Sequence, residues 1–317
     1  MPARDALYGK LVVLLGGSGF FGTHIAQELL ARGARLRIAS RHPERAYKLK
    51  PLGNLGQIQF AHCDVTRPDS IRAAMAGADA AVYLVGAFKG DLGSLQAEGA
   101  GLAAAAAQEA GATCFVLVSA IGADAESDAA YARTKAEGEQ AVLAAFPKAT
   151  ILRPSVLFGE DDNFINMFAG LVSTLKVLPI FGADALLQPL WVDDAAEALA
   201  NALADPARHG GKTFEIAGPE ALTMGELNRM IAKAQGRSTI FAEVPDALSA
   251  VFAALPGTPM DRDQWKLLKS GSVPSGKLPG PKPLGVSPKP LELFLDRWMV
   301  RYRKHGRFGT DMGAAGR

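Results

Sequence analysis

Cysteine is almost missing from this chain. Cys63 and Cys114, both at strand-like positions, are too few for a disulfide framework in 317 residues, and the five histidines are scattered without metal-ligand spacing. Neither a disulfide nor a metal site is expected. Long apolar runs are lacking too: stretches such as Ala103–Ala107 fall far short of the ~20 residues that a membrane-spanning helix needs. Apolar periodicity begins at Leu11, which leaves too few preceding residues for a secretory signal or a transit peptide, so the chain is expected to stay in the compartment that makes it. Nor is there an excess of one charge. The 34 Lys and Arg against 32 Asp and Glu leave a net +2, which gives no footing for a nucleic-acid partner.

That balance is unevenly distributed. Residues 260–317 hold 12 Lys and Arg against 5 Asp and Glu, so this tail carries +7 and the remainder −5. A basic tail on an acidic body suits an anionic partner or a membrane surface; a purely solvated tail is the plain alternative.

What is present is a regular alternation. Strand-like runs at Leu11–Leu15, Arg35–Ser40, Ile58–Cys63, Ala80–Val85 and Thr113–Ser119 are separated by helix-like segments at Thr23–Arg32, Pro43–Leu49, Pro68–Met75 and Leu95–Ala110. Near-continuous apolar strands between helices predict an α/β fold, a Rossmann-type doubly wound parallel sheet covered on both faces. A helix at Ala129–Phe146 and a strand at Thr150–Leu152 continue the series. The sequence divides into a nucleotide domain over residues 1–160, returning to the sheet near 190–217 through edge strands at Leu190–Val192 and Thr213–Ala217. A smaller C-terminal lobe takes 161–189 and 218–317. Within it, residues 256–290 are dense in Pro with Gly and Ser, which predicts an extended segment draped over the surface. A last helix near Leu291–Lys304 puts Leu291, Leu295, Trp298 and Tyr302 on one face, for its own domain or for a partner or lipid.

Gly16-Gly17-Ser18-Gly19-Phe20-Phe21-Gly22 follows the first strand and opens the first helix, the setting that a dinucleotide fingerprint requires. Gly16 permits the tight turn, Gly19 lets the backbone approach a pyrophosphate, and Gly22 lets helix and strand pack closely, with the helix N-terminus facing the anion. An NAD site wants a carboxylate at the end of the second strand for the ribose 2′-hydroxyl. Here Ser40-Arg41-His42 stands instead, and a guanidinium binds a 2′-phosphate with charge-assisted hydrogen bonds, so NADP(H) is preferred over NAD(H), with Arg41 as chief contact. Asp64-Val65, after the third strand, is placed to meet the adenine edge or to make a simple turn.

Tyr131 and Lys135 lie four apart at the start of the helix after the fifth strand, on one helical face. An ammonium beside a phenol lowers the phenol's pKa and makes it a usable proton donor or acceptor. The apolar stretch Phe164–Phe181 would then line a pocket for a lipid-like or quinone-like substrate.

With the glycine loop, Asp64-Val65, Tyr131/Lys135, Arg153-Pro154 and Val192-Asp193-Asp194 in this order, the chain resembles the extended or atypical short-chain dehydrogenase/reductases. That resemblance implies a catalytic Tyr131/Lys135 pair assisted by Ser119, and cofactor contacts from Phe20, Phe21, Ser40, Pro154 and the Tyr/Lys pair. Two features depart from it: Ser119 is followed by apolar Ala120 and Ile121, and the helix from Leu95 lacks the asparagine usual in catalytic members. The strings 115–119, 131–139, 152–164 and 298–306 are similar to the NADPH-carrying accessory subunits of respiratory complex I and their bacterial relatives. This implies tightly held NADP(H), little or no turnover, complex I subunits or a membrane surface as partner, and a bacterial cytoplasmic location, peripheral on the inner face of the membrane. The alternative is a working oxidoreductase or epimerase on a lipid-like, quinone-like or nucleotide-sugar substrate.

Overall fold

The computed structural model describes residues 5–255, 260–304 and 306. Its first half follows the alternation read from the sequence. Strands β1 (Leu11–Leu15), β2 (Arg35–Ser40), β3 (Ile58–His62), β4 (Ala80–Tyr83), β5 (Cys114–Val118) and β6 (Thr150–Pro154) alternate with helical segments. These are α1 (Phe20–Ala31), a 3-10 segment at Pro43–Leu52, α2 (Pro68–Met75), a π-helical turn at Gly93–Glu98 running into α3 (Gly99–Glu109), and α4 (Ala130–Ala145). The second half adds β7 (Leu157–Phe158), α5 (Phe164–Thr174), β8 (Val177–Phe181), β9 (Leu186–Leu187), β10 (Leu190–Trp191), α6 (Val192–Ala204), α7 (Pro206–His209) and β11 (Thr213–Ile216). After these come β12 (Leu222–Thr223), α8 (Met224–Gln235), β13 (Ile240–Val244), α9 (Asp246–Ala254), α10 (Arg262–Ser270) and α11 (Glu292–Met299).

Seven parallel strands form one sheet in the order β11-β6-β5-β4-β1-β2-β3. The chain runs outward from β1 to β3 and then returns to the other side of β1 as β4, so the connections after β1 and β4 diverge and leave a crevice at the strands' carboxyl ends. Side-chain alternation divides the core. Val12 and Leu14 join the cluster under α1 and α6, whereas Val13 and Leu15 join the one under α2, α3 and α4. Burying each such side chain contributes ~1.5–3 kcal/mol, which explains why β1 is apolar throughout. A third cluster, including Phe158, Ile180, Leu227, Ile231 and Trp298, is the core of the C-terminal lobe.

The structure departs from the sequence reading at two places and decides between its two alternatives at a third. Leu190–Val192 is no edge of the main sheet: β10 pairs with β7 in a separate two-stranded sheet, and Val192 opens α6. Asp193 and Asp194 in that helix's first turn suit its positive end. Residues 256–290 are not extended throughout, because Asp261 and Gln264 form a capping box that starts α10, though 256–259 lie outside the described residues. The extended part is 272–281, a strap along the open edge of β11, continued past a 3-10 turn at Lys282–Leu284 by 285–290. Glu215 donates its backbone N–H to the Pro279 carbonyl at 2.9 Å and accepts from the Ser275 backbone and hydroxyl at 2.6 and 2.8 Å. Lys289 closes on the buried Asp194 at 2.7 Å. Finally, the apolar face of α11 is turned into its own lobe: Leu291, Leu295 and Trp298 are buried and Tyr302 packs beside them. His305 and 307–317, the end of the basic tail, lie outside the described residues. No helix among the described residues is long and apolar enough to cross a membrane.

Candidate cofactor and catalytic site

The crevice begins at Gly16, whose φ of +83° is open to glycine but strained for other residues, and where a Cβ would meet Val85 and the Leu84 backbone. Its N–H donates to the Ala39 carbonyl at 2.8 Å, tying the loop to β2. A Cβ on Gly22 would stand 2.6 Å from Gly17 Cα, so this glycine is what lets α1 begin directly behind the loop. Around Gly19 the space is open, with the nearest atom to an added Cβ at 3.7 Å. No side chain caps α1, which leaves its first N–H groups facing the crevice as an anion site. Phe21 packs on the core, and Phe20 leans on the chain at Gly159 and edge-on against His24.

At the end of β2, Ser40 keeps a buried hydroxyl without a partner, and Arg41 is exposed beside it. Asp64 accepts from the backbone N–H and hydroxyl of Thr66, which holds its carboxyl below the usual range, helped by the charges of Arg41 and Arg67. Val65 is buried.

The other end of the crevice is made of side chains. Tyr131 stacks under Phe88, ring centroids 4.6 Å apart at 17°. Lys135 is buried, its Nζ 3.1 Å from the Val118 carbonyl and 5.8 Å from the Tyr131 ring centre. The expected lowering of the phenol by this ammonium does not hold: burial pushes Tyr131 up to about 12. The same burial, partly offset by Glu139, brings Lys135 down to about 8. Ser119 is 3% exposed with an unpartnered Oγ, and Pro154 ends β6 beside it, accepting from the Ile121 N–H at 3.1 Å. The structure thus gathers Ser119, Tyr131, Lys135 and Pro154 at one end and Gly16–Gly22, Ser40, Arg41, Asp64 and Val65 at the other. Within the Phe164–Phe181 stretch, Ile165, Ala169, Val172, Leu178 and Ile180 fill the lobe's own core.

Several participants escaped sequence reasoning. Asp263 on α10 accepts from the Ala130 and Tyr131 backbone N–H groups at 2.6 and 3.1 Å, capping the helix that carries the Tyr/Lys pair. Lys266 donates to the Asp128 carbonyl at 3.0 Å, so α10 is clamped over that end of the crevice. His24 lies between Asp193 (2.6 Å) and Asp161 (3.1 Å), joining α1 to the second half; both bonds can be donated only by the imidazolium. Arg153 makes a two-pronged pair with Glu139 at 2.8 and 2.6 Å. The capping-box spacing around Asp261 was the one readable sign of α10. No signal linked residue 263 to 131. Among the described residues, no three or more His, Cys, Asp or Glu side chains are grouped to hold a metal ion.

A family model described as NAD(P)H-binding matches residues 16–168, and one described as the RmlD substrate binding domain matches 123–270. Over 98% of its length the chain is 31% identical to the mitochondrial NADH dehydrogenase (ubiquinone) 1 alpha subcomplex subunit 9 of Mus musculus, covering 85% of that protein. The chain belongs to this subunit 9 family. The two matched models give this chain NAD(P)-binding domains like those of the extended short-chain dehydrogenase/reductases. A more distant relative of this chain is the ceramide reductase of Caulobacter vibrioides, 29% identical over 70% of this chain and 73% of that one. In fold, the chain is like the Citrobacter sp. triphenylmethane reductase complexed with NADP(H), with a TM-score of 0.72 and 20% identity, covering 90% of this chain and 99% of that one.

Proposed function

We propose that this chain is an NADP(H)-binding accessory or assembly component of respiratory complex I, with little or no turnover. The observation that carries the reading is the contrast between an open phosphate end and a closed Tyr131 end. Tyr131 lies under Phe88 with its proton held more tightly than usual, and α10 is clamped over its helix. The match to a subunit of the mitochondrial enzyme along 98% of the chain supports the partner. Arg41 and the unpartnered Ser40 hydroxyl support NADP(H) over NAD(H), because both offer donors to a 2′-phosphate. On this reading residues 1–160 with 190–217 hold the nucleotide, and 161–189 with 218–317 face the partner. The basic tail touches complex I subunits or the inner face of a bacterial cytoplasmic membrane.

The test is to release bound nucleotide from the purified protein by denaturation, identify it, and challenge the native protein with ketones and quinones. Stoichiometric NADPH that no substrate oxidises is the expected result; NADPH consumed by one class of carbonyl or quinone overturns it. A second reading, an active oxidoreductase or epimerase on a lipid-like, quinone-like or nucleotide-sugar substrate, is favoured by the intact Tyr131/Lys135 pair and by the ceramide reductase relative. Under that reading Tyr131→Phe abolishes function in cells. Under the accessory reading it does not.

A further inference from the structure

The main sheet has two edges, and the chain treats them differently. Along β11 the strap supplies a partner, since the outward N–H of Glu215 donates to the Pro279 carbonyl at 2.9 Å. At the opposite edge β3 pairs with β2 alone. Leu36 donates to the Gln57 carbonyl and Cys63 to the Ser40 carbonyl, so the odd-numbered residues of β3 face β2. The N–H and C=O groups of Ile58, Phe60 and His62 therefore turn outward, and among the described residues they meet no partner. A bare edge is a template for pairing with another chain, and proteins blunt such edges with charged residues, proline or a bulge. β3 reads Ile58-Gln59-Phe60-Ala61-His62, without Lys, Arg, Asp, Glu or Pro, and its register against β2 is unbroken.

Charge stands beside this strand instead of on it. In the 3-10 segment Pro43–Leu52, residues three apart share a side. Ala46 and Leu49 are buried and seat the segment on the core. Tyr47 and Lys50 lean on β3: the Lys50 ammonium lies 3.8 Å from the Tyr47 ring centre and 5.7 Å from that of Phe60, and the two rings meet edge-on at 5.0 Å. Arg45 and Lys48 share the remaining side, exposed. Glu44 is the single carboxylate between residues 41 and 64, and it pairs with His42 at 3.1 Å. A cationic, part-aromatic margin thus runs along a bare strand, on a body that over residues 1–259 carries a net −5. We propose that β3 is a docking edge for an extended, acidic segment of a partner protein, which joins the seven-stranded sheet as a further strand. Its backbone pairs with Ile58, Phe60 and His62, and its carboxylates meet Arg45, Lys48 and Lys50. A second copy is the poorer occupant, because edge against edge sets each group of cations beside its own counterpart.

The test uses the full chain and a fluorescent peptide of alternating valine and glutamate, long enough for one strand. Fluorescence anisotropy should show saturable binding, and the valine–lysine counterpart should bind at least about tenfold more weakly. Reversing the margin with Arg45→Glu, Lys48→Glu and Lys50→Glu together should invert that preference. His62→Pro removes one outward N–H and leaves the ladder to β2 intact, so it should weaken the acidic peptide about tenfold, the equivalent of one lost hydrogen bond. Amide exchange followed by NMR should slow at Phe60 and His62 when the peptide binds, while Gln59 and Ala61, already bonded to β2, are slow throughout. An acidic peptide that does not bind, equal binding of both peptides, or exchange at Phe60 and His62 that binding leaves unchanged overturns the proposal. Dimerisation that His62→Pro abolishes would give the edge to a second copy, and capture by anionic vesicles with the peptide silent would give the margin to lipid; either result overturns it as well. Should His62→Pro fail to fold, a peptide N-methylated at alternate amides replaces it, and binding as tight as that of the plain peptide overturns the pairing. Neither nucleotide nor respiratory enzyme enters these measurements, so a protein that never binds NADP(H) would defeat the accessory reading and leave this one standing.

Discussion

The two ends of the crevice are built from different materials. The phosphate end is backbone and vacancy: Gly16 in a left-handed turn, Gly22 tight against Gly17, and bare N–H groups at the start of α1. The Tyr131 end is a set of buried side chains from the π turn, β5, α4, β6 and α10, fixed by hydrogen bonds across large sequence separations. An end made of backbone tolerates no added atoms where it packs on itself, as at Gly22. An end made of side chains tolerates no missing partners.

Removing a partner should do the greater damage. Arg153→Leu leaves the carboxylates of Glu139 and Glu215, 7% and 2% exposed, without their cation, and is expected to cost ~3–5 kcal/mol in a urea melt. An unchanged midpoint would mean that the Tyr131 end is held by packing alone. Adding an atom comes next. Gly22→Ala should lose ~1–3 kcal/mol by overpacking, together with bound nucleotide, whereas Gly19→Ala, with open space around it, should keep its stability and lose affinity only. Equal melts for the two would erase the distinction between packing glycine and ligand-facing glycine. Third, Arg41→Ala should weaken NADPH by the ~1.5–3 kcal/mol of a charge-assisted bond, on the order of 10–100-fold by fluorescence titration, and leave NADH unchanged. Parallel losses for both nucleotides would remove the argument for NADP(H).

The smallest effect belongs to the joint between the halves. Burial favours a neutral His24 ring, but the carboxylates of Asp193 and Asp161 outweigh it and raise its pKa above the usual value. A raised folded pKa gives stability that is fully present below the ordinary His pKa of ~6.5 and lost as pH rises through the folded value. His24→Gln should therefore differ from wild type by under about 1 kcal/mol in acid and converge with it in alkali. Denaturant midpoints that stay parallel from pH 5 to 9 would show that the clasp is silent.

The same contrast explains what could be read in advance. The strands β1, β4 and β5 were legible because each is buried on both faces and so is written as an apolar run, and the glycine loop because a backbone turn demands particular residues at fixed spacing. The Tyr131/Lys135 pair was legible from helical spacing, but its electrostatics were not. The rise of the phenol depends on desolvation, which no string of letters reports. Asp263 and Phe88 were invisible for a related reason, since their partners lie 43 to 133 positions away. The apolar face of α11 was legible as a face; only the packed lobe says what covers it.

The strap along β11 sets an order of assembly. The last strand of the sheet ends at Ile216, yet Asp194 meets its partner only at Lys289, and Glu215, 3.9 Å from Arg153 within the sheet, gains its hydrogen bonds only at Ser275. During synthesis the whole sheet exists as sequence about sixty to seventy residues before its closing contacts do. A chain halted in that interval carries two acids that must stay hydrated or be held by a chaperone, so the nucleotide half is not a module that can be cut free.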